Sequence, residues 1–237
     1  MTLPEKQRSN PLKRVLNIAH RGFTSQYPDN TLEAFEAAIG INVDAIECDV
    51  RETADKRFVM FHDPQISGQD IGSLPLAEIR EFRLENRYQI PTLEETLRLC
   101  RDRVKLNIEL KEITSLTLFL EVLRAGSSPD EVFLTSFNRD LILEMAHLAP
   151  DIRRGIITAL PVDDNITLAR ETKSDMIIVM YPFVAADLVS RAHTAELPVF
   201  VWGFPDMEQV RTVLGMGVDG IITDFPDEVG KELDILH

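Results

Sequence analysis

Asp44-Ala-Ile-Glu-Cys-Asp-Val50 is followed, after only six residues, by Arg57-Phe-Val-Met-Phe-His62. Both runs are rich in β-branched and apolar residues, which is typical of β-strands. A crossover between parallel strands needs about a dozen residues or more, so these two runs can pair only as an antiparallel hairpin. The second run is therefore an addition to the main sheet and not one of its parallel strands.

Strand-like runs recur along the rest of the chain and alternate with amphipathic stretches of helical periodicity. Together with Asp44–Val50 they make eight: Val15–His20, Val104–Leu110, Glu131–Phe137, Ile152–Ile157, Asp175–Met180, Pro198–Trp202 and Val218–Thr223. Eight βα units predict an α/β fold, the (β/α)8 or TIM barrel, with a β-hairpin and a short insertion after the second barrel strand. Helix starts are predicted at Asn30 with Glu33 and at Thr92 with Glu95, which have capping-box spacing.

No linker-like or low-complexity stretch interrupts this pattern, so we expect a single barrel domain over residues 15–237 after an N-terminal extension of residues 1–14. The insertion spans about residues 63–91. We expect it to hold a turn at Ser67-Gly68 and one short helix near Leu76–Phe82, too little for a capping domain.

The composition excludes several classes of partner. Lys and Arg number 25 and Asp and Glu 39, a formal charge of −14, which disfavours nucleic acid and stable association with anionic membranes. No run approaches the roughly 18 apolar residues of a spanning helix, and residues 1–14 have no apolar core. Cys48 and Cys100 lie in apolar segments and are expected in the core as free thiols. A cytoplasmic location is expected; the oligomeric state is not indicated.

Three carboxylates are predicted to meet at the barrel mouth, where parallel strands end. Side chains alternate along a strand, so Glu47 and Asp49 share one face, as do Asn107, Glu109 and Lys111. Carboxylates buried together repel one another, and a divalent cation relieves that repulsion; oxygen ligands favour Mg²⁺ or Ca²⁺. The alternative is an ion-pair network of these acids with the neighbouring cations Arg21, Arg51 and Lys111.

Two histidines are expected beside these acids. His20 ends the first strand, and a hairpin turn centred near Asp55–Lys56 pairs residues whose numbers sum to about 111, which places His62 beside Asp49. The three carboxylates, one divalent cation and the side chains of Arg21 and Lys111 together leave one positive charge. This charge balances the single negative charge of a phosphodiester. Two histidines at such a centre fit a general acid and a general base.

An ordered set of motifs from about Leu16 to Asp227 resembles the glycerophosphodiester phosphodiesterase family, in its cytosolic form with a short insertion. The motifs are His20-Arg21-Gly22, Pro28-Asp29-Asn30-Thr31, Glu47-x-Asp49, His62-Asp63-Pro64, Asn107-Ile108-Glu109-Leu110-Lys111, Ser136-Phe137 and Gly217–Asp224. The resemblance implies a TIM barrel and metal-dependent hydrolysis of a small-molecule glycerophosphodiester to glycerol 3-phosphate and an alcohol. It also implies metal binding by Glu47, Asp49 and Glu109, and acid–base roles for His20 and His62.

We interpret His20 as the base and His62 as the acid, with Arg21 and Lys111 stabilising charge on phosphorus. Trp202 either forms a wall for the glycerol or packs within the barrel. Asp63 either orients His62 or simply ends its strand. Asp224 and Asn30 are read as cap or turn residues, and His147 and His193 as structural.

Three departures from the family pattern are present; the first is a mild change, and the last two concern substrate contacts more than chemistry. Asp29 stands where Glu is common, Gln65–Ile90 is short, and Gly203-Phe204-Pro205 follows Trp202. Two other functions therefore stay open. One keeps the site for a lysophospholipid, in a lysophospholipase D-like reaction, or for another phosphodiester. The other is a non-catalytic barrel that binds a phosphorylated ligand.

Overall fold

The computed structural model describes residues 14–159 and 164–236, so most of the expected N-terminal extension and the last residue of the expected domain lie outside the described residues. The strands are β1 (Leu16–His20), β2 (Ala45–Glu52), β3 (Phe58–Met60), β4 (Gln65–Ile66), β5 (Gln69–Asp70), β6 (Lys105–Leu110), β7 (Val132–Ser136), β8 (Arg153–Thr158), β9 (Met176–Met180), β10 (Val199–Trp202) and β11 (Gly220–Thr223). The helices are α1 (Leu32–Gly40), α2 (Leu76–Ile79), α3 (Leu93–Cys100), α4 (Leu116–Gly126), α5 (Arg139–Leu148), α6 (Asn165–Glu171), α7 (Ala186–Thr194), α8 (Met207–Leu214) and α9 (Pro226–Leu236). Short 3₁₀ turns cover Ile71–Ser73 and Pro129–Glu131.

Eight parallel strands close into a barrel, which confirms the fold prediction. The order β2-β6-β7-β8-β9-β10-β11-β1 returns to β2, because β1 pairs with both β11 and β2. Ile18, for example, lies beside Ile222 on one side and Ala45 on the other. Closure leaves the parallel strands without an open edge and gathers their C-terminal ends into one mouth.

The hairpin forms as expected, but its register differs by one residue. β3 runs antiparallel to β2 with Val50 opposite Met60, and the amide of Phe61 donates to the Asp49 carbonyl at 2.9 Å. Phe61, and not His62, therefore lies beside Asp49. The cause is a three-residue loop in which Lys56 adopts a φ of 60°, the left-handed position of a three-residue hairpin, whereas a turn centred on two residues would shift the pairing.

The apolar core has two layers, as alternation along the strands requires. Outward-facing residues such as Ile46 and Cys48 pack with Phe35 and other residues of the surrounding helices. The barrel interior holds its own cluster, the members of which are Ile18, Ala45, Phe133, Ile157, Met176, Ile178, Phe200 and Ile222. This plug fills the interior below the mouth. Both cysteines are buried and free, as expected.

The insertion between β3 and α3 is compact and built around its own apolar side chains. Ser67 and Gly68 both have positive φ and turn β4 into β5, which confirms the expected turn. Helix α2 ends at Ile79, shorter than expected, because the amides of Glu81 and Phe82 bond carbonyls three residues back and continue the chain as single turns. These elements pack on Val59 of β3.

One of the two expected helix starts is correct. Thr92 and Glu95 form a complete capping box at α3. At α1 the N-cap is Thr31, whose hydroxyl accepts from the amide of Ala34 at 3.1 Å. Asn30 was the wrong residue for this cap, because its φ of 56° turns its side chain away from the helix and toward β2. Within the described residues, no helix is long and apolar enough to cross a membrane.

Glu52, the last residue of β2, joins the hairpin to the loop that follows β6. Its buried carboxylate accepts hydrogen bonds from Lys56 Nζ at 2.6 Å, from the amide and hydroxyl of Thr114, and from the amide and hydroxyl of Ser115. Burial alone would raise the pKa of Glu52, but these donors outweigh it and lower the pKa to about 2. The charged form is therefore part of the folded structure.

Glu52→Gln should lower the free energy of unfolding by about 2–4 kcal/mol at pH 7, since a shift of one pKa unit corresponds to about 1.4 kcal/mol. A depressed folded-state pKa stabilises above the unfolded value near 4.5, and the stabilisation is lost as pH falls toward about 2. Urea unfolding at pH 7 and pH 3 should therefore show a gap between wild type and variant that narrows in acid. Glu121→Gln, on an exposed face of α4, is the control. A gap independent of pH would contradict this account.

Candidate active site

A cleft opens at the C-terminal end of the barrel and brings the sequence-predicted residues together. Its lining consists of His20, Arg21, Glu47, His62, Asn107, Glu109, Lys111, Phe137, Ile157, Ile178, Trp202 and Ile222. Asp49, fully buried, completes the acidic group beside Glu47 and Glu109. The apolar cluster of the barrel interior lies beneath these polar residues and forms the floor of the cleft.

Three carboxylates converge because two neighbouring parallel strands are in register. β2 carries Glu47 and Asp49, β6 carries Glu109, and Asp49 lies directly beside Glu109. One oxygen atom from each of the three carboxylates lies within 4.8 Å of the others. Three buried oxygen donors at this spacing form a cluster that could bind a divalent metal ion.

The pKa values show how strongly these acids interact. Burial raises the pKa of Glu47 well above its usual value, and the charges of Asp49 and Glu109 raise it further. Burial also raises the pKa of Glu109, despite the opposing effect of Lys111. For Asp49, burial is outweighed by Lys111 and Arg21, so its pKa is lowered. When all three acids are ionised, the cluster has three negative charges beside the two positive charges of Arg21 and Lys111, and a divalent cation fits this donor set.

Arg21 and Lys111 lie beside the acids and line the same cleft. Arg21 Nε is 3.1 Å from Asp49 Oδ2, and its Nη1 donates to Asp29 Oδ2 at 3.2 Å. Lys111 Nζ is 2.9 Å from Asp49 Oδ1, contacts Glu109 Oε1, and lies 5.9 Å from the centre of the Phe137 ring. The alternative ion-pair network is therefore present for Arg21 and Lys111, whereas Arg51 pairs with Glu112 instead of the three acids.

In each of the two cleft histidines, His20 and His62, the Nδ1 atom contacts an aspartate. His20 Nδ1 lies 2.7 Å from Asp224 Oδ1, and its Nε2 lies 3.9 Å from Glu47 Oε2. His62 Nδ1 lies 2.7 Å from Asp63 Oδ1, a contact that suits an orienting role for Asp63. An aspartate on Nδ1 fixes the ring and leaves Nε2 as the nitrogen available for proton transfer. The bond to His20 lowers the pKa of Asp224.

Sequence reasoning missed two residues that support this site. Asp224 was read as a turn residue, yet it follows β11, which pairs with β1 so that Ala19 lies beside Thr223. The next residues, His20 and Asp224, are then neighbours, a signal that barrel closure alone provides. The other is Asn30. Its side-chain Nδ2 donates to Asp49 Oδ2 at 2.8 Å, and its Oδ1 accepts from the backbone N–H of Asp49 at 3.0 Å.

Aromatic rings form one wall of the cleft. Trp202, at the end of β10, meets Phe137 edge to face with ring centres 5.8 Å apart. Both rings line the cleft, and Phe137 is 43% exposed. The two remaining histidines among the described residues lie elsewhere: His147 pairs with Lys173 and His193 with Asp219.

The comparisons with known proteins point to one family. A sequence model of the glycerophosphoryl diester phosphodiesterase family matches residues 20–228. A glycerophosphodiester phosphodiesterase from Caldanaerobacter subterraneus subsp. tengcongensis is 26% identical over 234 residues, which cover 90% of this chain and 96% of the relative. A crystal structure of a glycerophosphodiester phosphodiesterase from Parabacteroides distasonis is 26% identical, with a TM-score of 0.84 over 94% of this chain and 98% of that one. A phosphodiesterase from Oleispira antarctica in complex with the product sn-glycerol-3-phosphate is 25% identical, with a TM-score of 0.85 over 92% of this chain and 96% of that one.

Calorimetric titration of the metal-stripped protein with Mg²⁺ and with Ca²⁺ should show one site that Glu47→Gln weakens by at least about 10-fold, since it removes a charged oxygen donor. Because the pKa of Glu47 is raised, binding should release a proton, and affinity should increase with pH. Glu52→Gln changes an equally buried acid of the same strand and should leave the affinity unchanged. Equal affinities in wild type and Glu47→Gln would show that the cluster is not the site.

Proposed function

The chain belongs to the glycerophosphoryl diester phosphodiesterase family, and from that premise we propose that it hydrolyses glycerophosphodiesters to glycerol 3-phosphate and an alcohol. One observation carries this proposal: three carboxylates, two cations and two histidines meet around a single cleft at the barrel mouth. The glycerol 3-phosphate held by the Oleispira antarctica relative supports the same product here.

Glu47, Asp49 and Glu109 would hold the metal, and an all-oxygen donor set favours Mg²⁺ or Ca²⁺. When bound, such a cation acts as a Lewis acid on a phosphoryl oxygen. Asn30 fixes the Asp49 carboxylate through its amide, so that this donor keeps one orientation. Arg21 and Lys111 bind the phosphate and stabilise the charge that develops on its oxygens.

The histidines move the protons. His20 accepts a proton from the nucleophile at Nε2 while Asp224 holds its Nδ1. A bond forms from the nucleophile's oxygen to phosphorus, the bond from phosphorus to the leaving oxygen breaks, and His62 gives its proton to that oxygen. The side chain of His62 is more exposed than that of His20, 39% against 23%, which suits a leaving alcohol that departs to solvent. The nucleophile is water or the substrate's own 2-hydroxyl; ³¹P NMR during turnover distinguishes them, since the hydroxyl route passes through a cyclic phosphate.

Phe137 and Trp202 contact the glycerol carbons as an apolar wall, a role that their exposure to the cleft supports. We propose small diesters, such as glycerophosphocholine and glycerophosphoethanolamine, as the preferred substrates. Among the described residues, none from the insertion after His62 lines the cleft, so no capping element adds a surface for an acyl chain.

The setting of this activity is also part of the proposal. Residues 15–237 would act as one catalytic domain in the cytoplasm, with an N-terminal extension outside the chemistry. The net charge of −14 favours a small-molecule substrate over nucleic acid or an anionic membrane surface.

The substrate proposal is tested with one enzyme preparation, glycerophosphocholine, glycerophosphoethanolamine and lysophosphatidylcholine. The two small diesters should have the higher kcat/KM, glycerol 3-phosphate should be released, and EDTA should abolish the activity until Mg²⁺ or Ca²⁺ is restored. A preference for lysophosphatidylcholine would favour the lysophospholipase D-like function instead. Tight binding of the diesters with no turnover would favour the non-catalytic barrel.

The histidine roles are tested by changing the leaving group. His20→Ala and His62→Ala should each lower kcat for glycerophosphocholine by roughly 10²-fold or more. The p-nitrophenyl ester of glycerol 3-phosphate has a leaving group that departs without protonation, so His62→Ala should affect it much less than His20→Ala does. His147→Ala is the control. If the nitrophenyl ester is more sensitive to loss of His62 than to loss of His20, the two roles are reversed.

A further inference from the structure

We propose that Arg51 is a positioning residue for His62, a role that rests on the proposed function of His62 as a proton donor. Arg51 follows Asp49 by two residues on β2 and its side chain is buried. Its guanidinium donates twice to the backbone carbonyl of His62, from Nε at 3.0 Å and from Nη2 at 2.7 Å. Arg51 thus touches the backbone that carries the catalytic ring and not the reacting atoms.

The need for such a contact follows from where the hairpin pairing stops. β3 ends at Met60, and the last backbone bond of the hairpin runs from the Phe61 amide to the Asp49 carbonyl. His62 lies one residue farther out, and its side chain is 39% exposed. The one-residue register shift therefore places this histidine beyond the regular ladder, and the two Arg51 bonds replace the missing strand contact.

The ring's own partner cannot supply this anchor. His62 Nδ1 bonds Asp63, which is the next residue, is 69% exposed and moves with the same segment. The bond sets the orientation of the ring within the segment and leaves the segment's distance from the barrel unfixed. Arg51 fixes that distance. It lies on the same strand as Glu47 and Asp49, so its bonds to the His62 carbonyl set the position of His62 relative to the acidic cluster.

The chemistry of the guanidinium suits this role. Two N–H groups in one rigid plane hold a single carbonyl oxygen in direction as well as distance, which a flexible ammonium cannot do. The third contact, from Nη1 to Glu112 Oε2 at 3.2 Å, involves a carboxylate that is 79% exposed, so solvent weakens it. We therefore expect the two carbonyl bonds to carry the effect and Glu112 to contribute little.

The test is Arg51→Lys, which keeps the charge and removes the fork. It should lower kcat for glycerophosphocholine by about 10- to 100-fold with KM within about 3-fold, because a displaced proton donor slows the chemical step while the phosphate contacts remain. For the p-nitrophenyl ester of glycerol 3-phosphate, kcat should fall less than about 3-fold. Arg57→Lys makes the same change on the same hairpin, where the arginine pairs with Glu94, and Glu112→Gln removes only the exposed contact. Both controls should stay within about 2-fold of wild type.

A second readout does not depend on turnover. In protein labelled with ¹⁵N-histidine, Arg51→Lys should shift the imidazole resonances of His62 and leave those of His20 unchanged. Equal losses on both substrates, a loss confined to KM, or unchanged His62 resonances would overturn the positioning role. If wild type hydrolyses neither diester, the proposed function fails, and the resonances alone then decide whether Arg51 positions His62.

Discussion

The mutual repulsion of three buried carboxylates is the constraint on which the site depends. Two adjacent strands in register bring Glu47, Asp49 and Glu109 together, and burial increases the free-energy cost of ionising them. Nearly every polar contact around them offsets that cost. Asn30 donates to Asp49, Lys111 spans Asp49 and Glu109, and the backbone amide of Arg21 donates to Glu47 at 3.1 Å. The positions of the side chains in the site are therefore set mainly by the contacts that compensate the three carboxylates.

One strand, β2, connects the parts of this assembly. Its inward residues supply two of the acids, while Ile46 and Cys48 anchor its other face against the helices. The C-terminal end of β2 extends beyond the barrel and pairs with the antiparallel strand β3. Among the described residues, no other barrel strand has an antiparallel partner. That extension brings His62 to the mouth and places Glu52 against the loop after β6. The hairpin thus connects His62, the proposed proton donor, to the strand that carries Glu47 and Asp49.

The sequence was sufficient for features that follow from strand alternation or from the length of a connection. Alternation predicted that Glu47, Asp49 and Glu109 share the inner face, and the connection of only six residues predicted the hairpin. The sequence was insufficient where a single backbone dihedral angle determines the position of a side chain. The left-handed Lys56 makes the loop three residues long and moves His62 one place outward, and the left-handed Asn30 sends its side chain to Asp49. The Asp224 contact needs the pairing of the last strand with the first, which joins residues 204 positions apart and leaves no local pattern.

The two cations link the acids to the phosphate in a further way. The chain carries a net charge of −14, and Arg21 and Lys111 line the cleft, so on the proposed function these two side chains would attract the anionic substrate. Both cations contact the Asp49 carboxylate, so a phosphate would compete with that carboxylate for them. A divalent cation bound by the three acids would weaken the attraction of Asp49 for Arg21 and Lys111 and leave both side chains freer to contact the phosphate. On the proposed function, we therefore expect a divalent cation and a phosphodiester to strengthen each other's binding, and by linkage the coupling is the same in both directions.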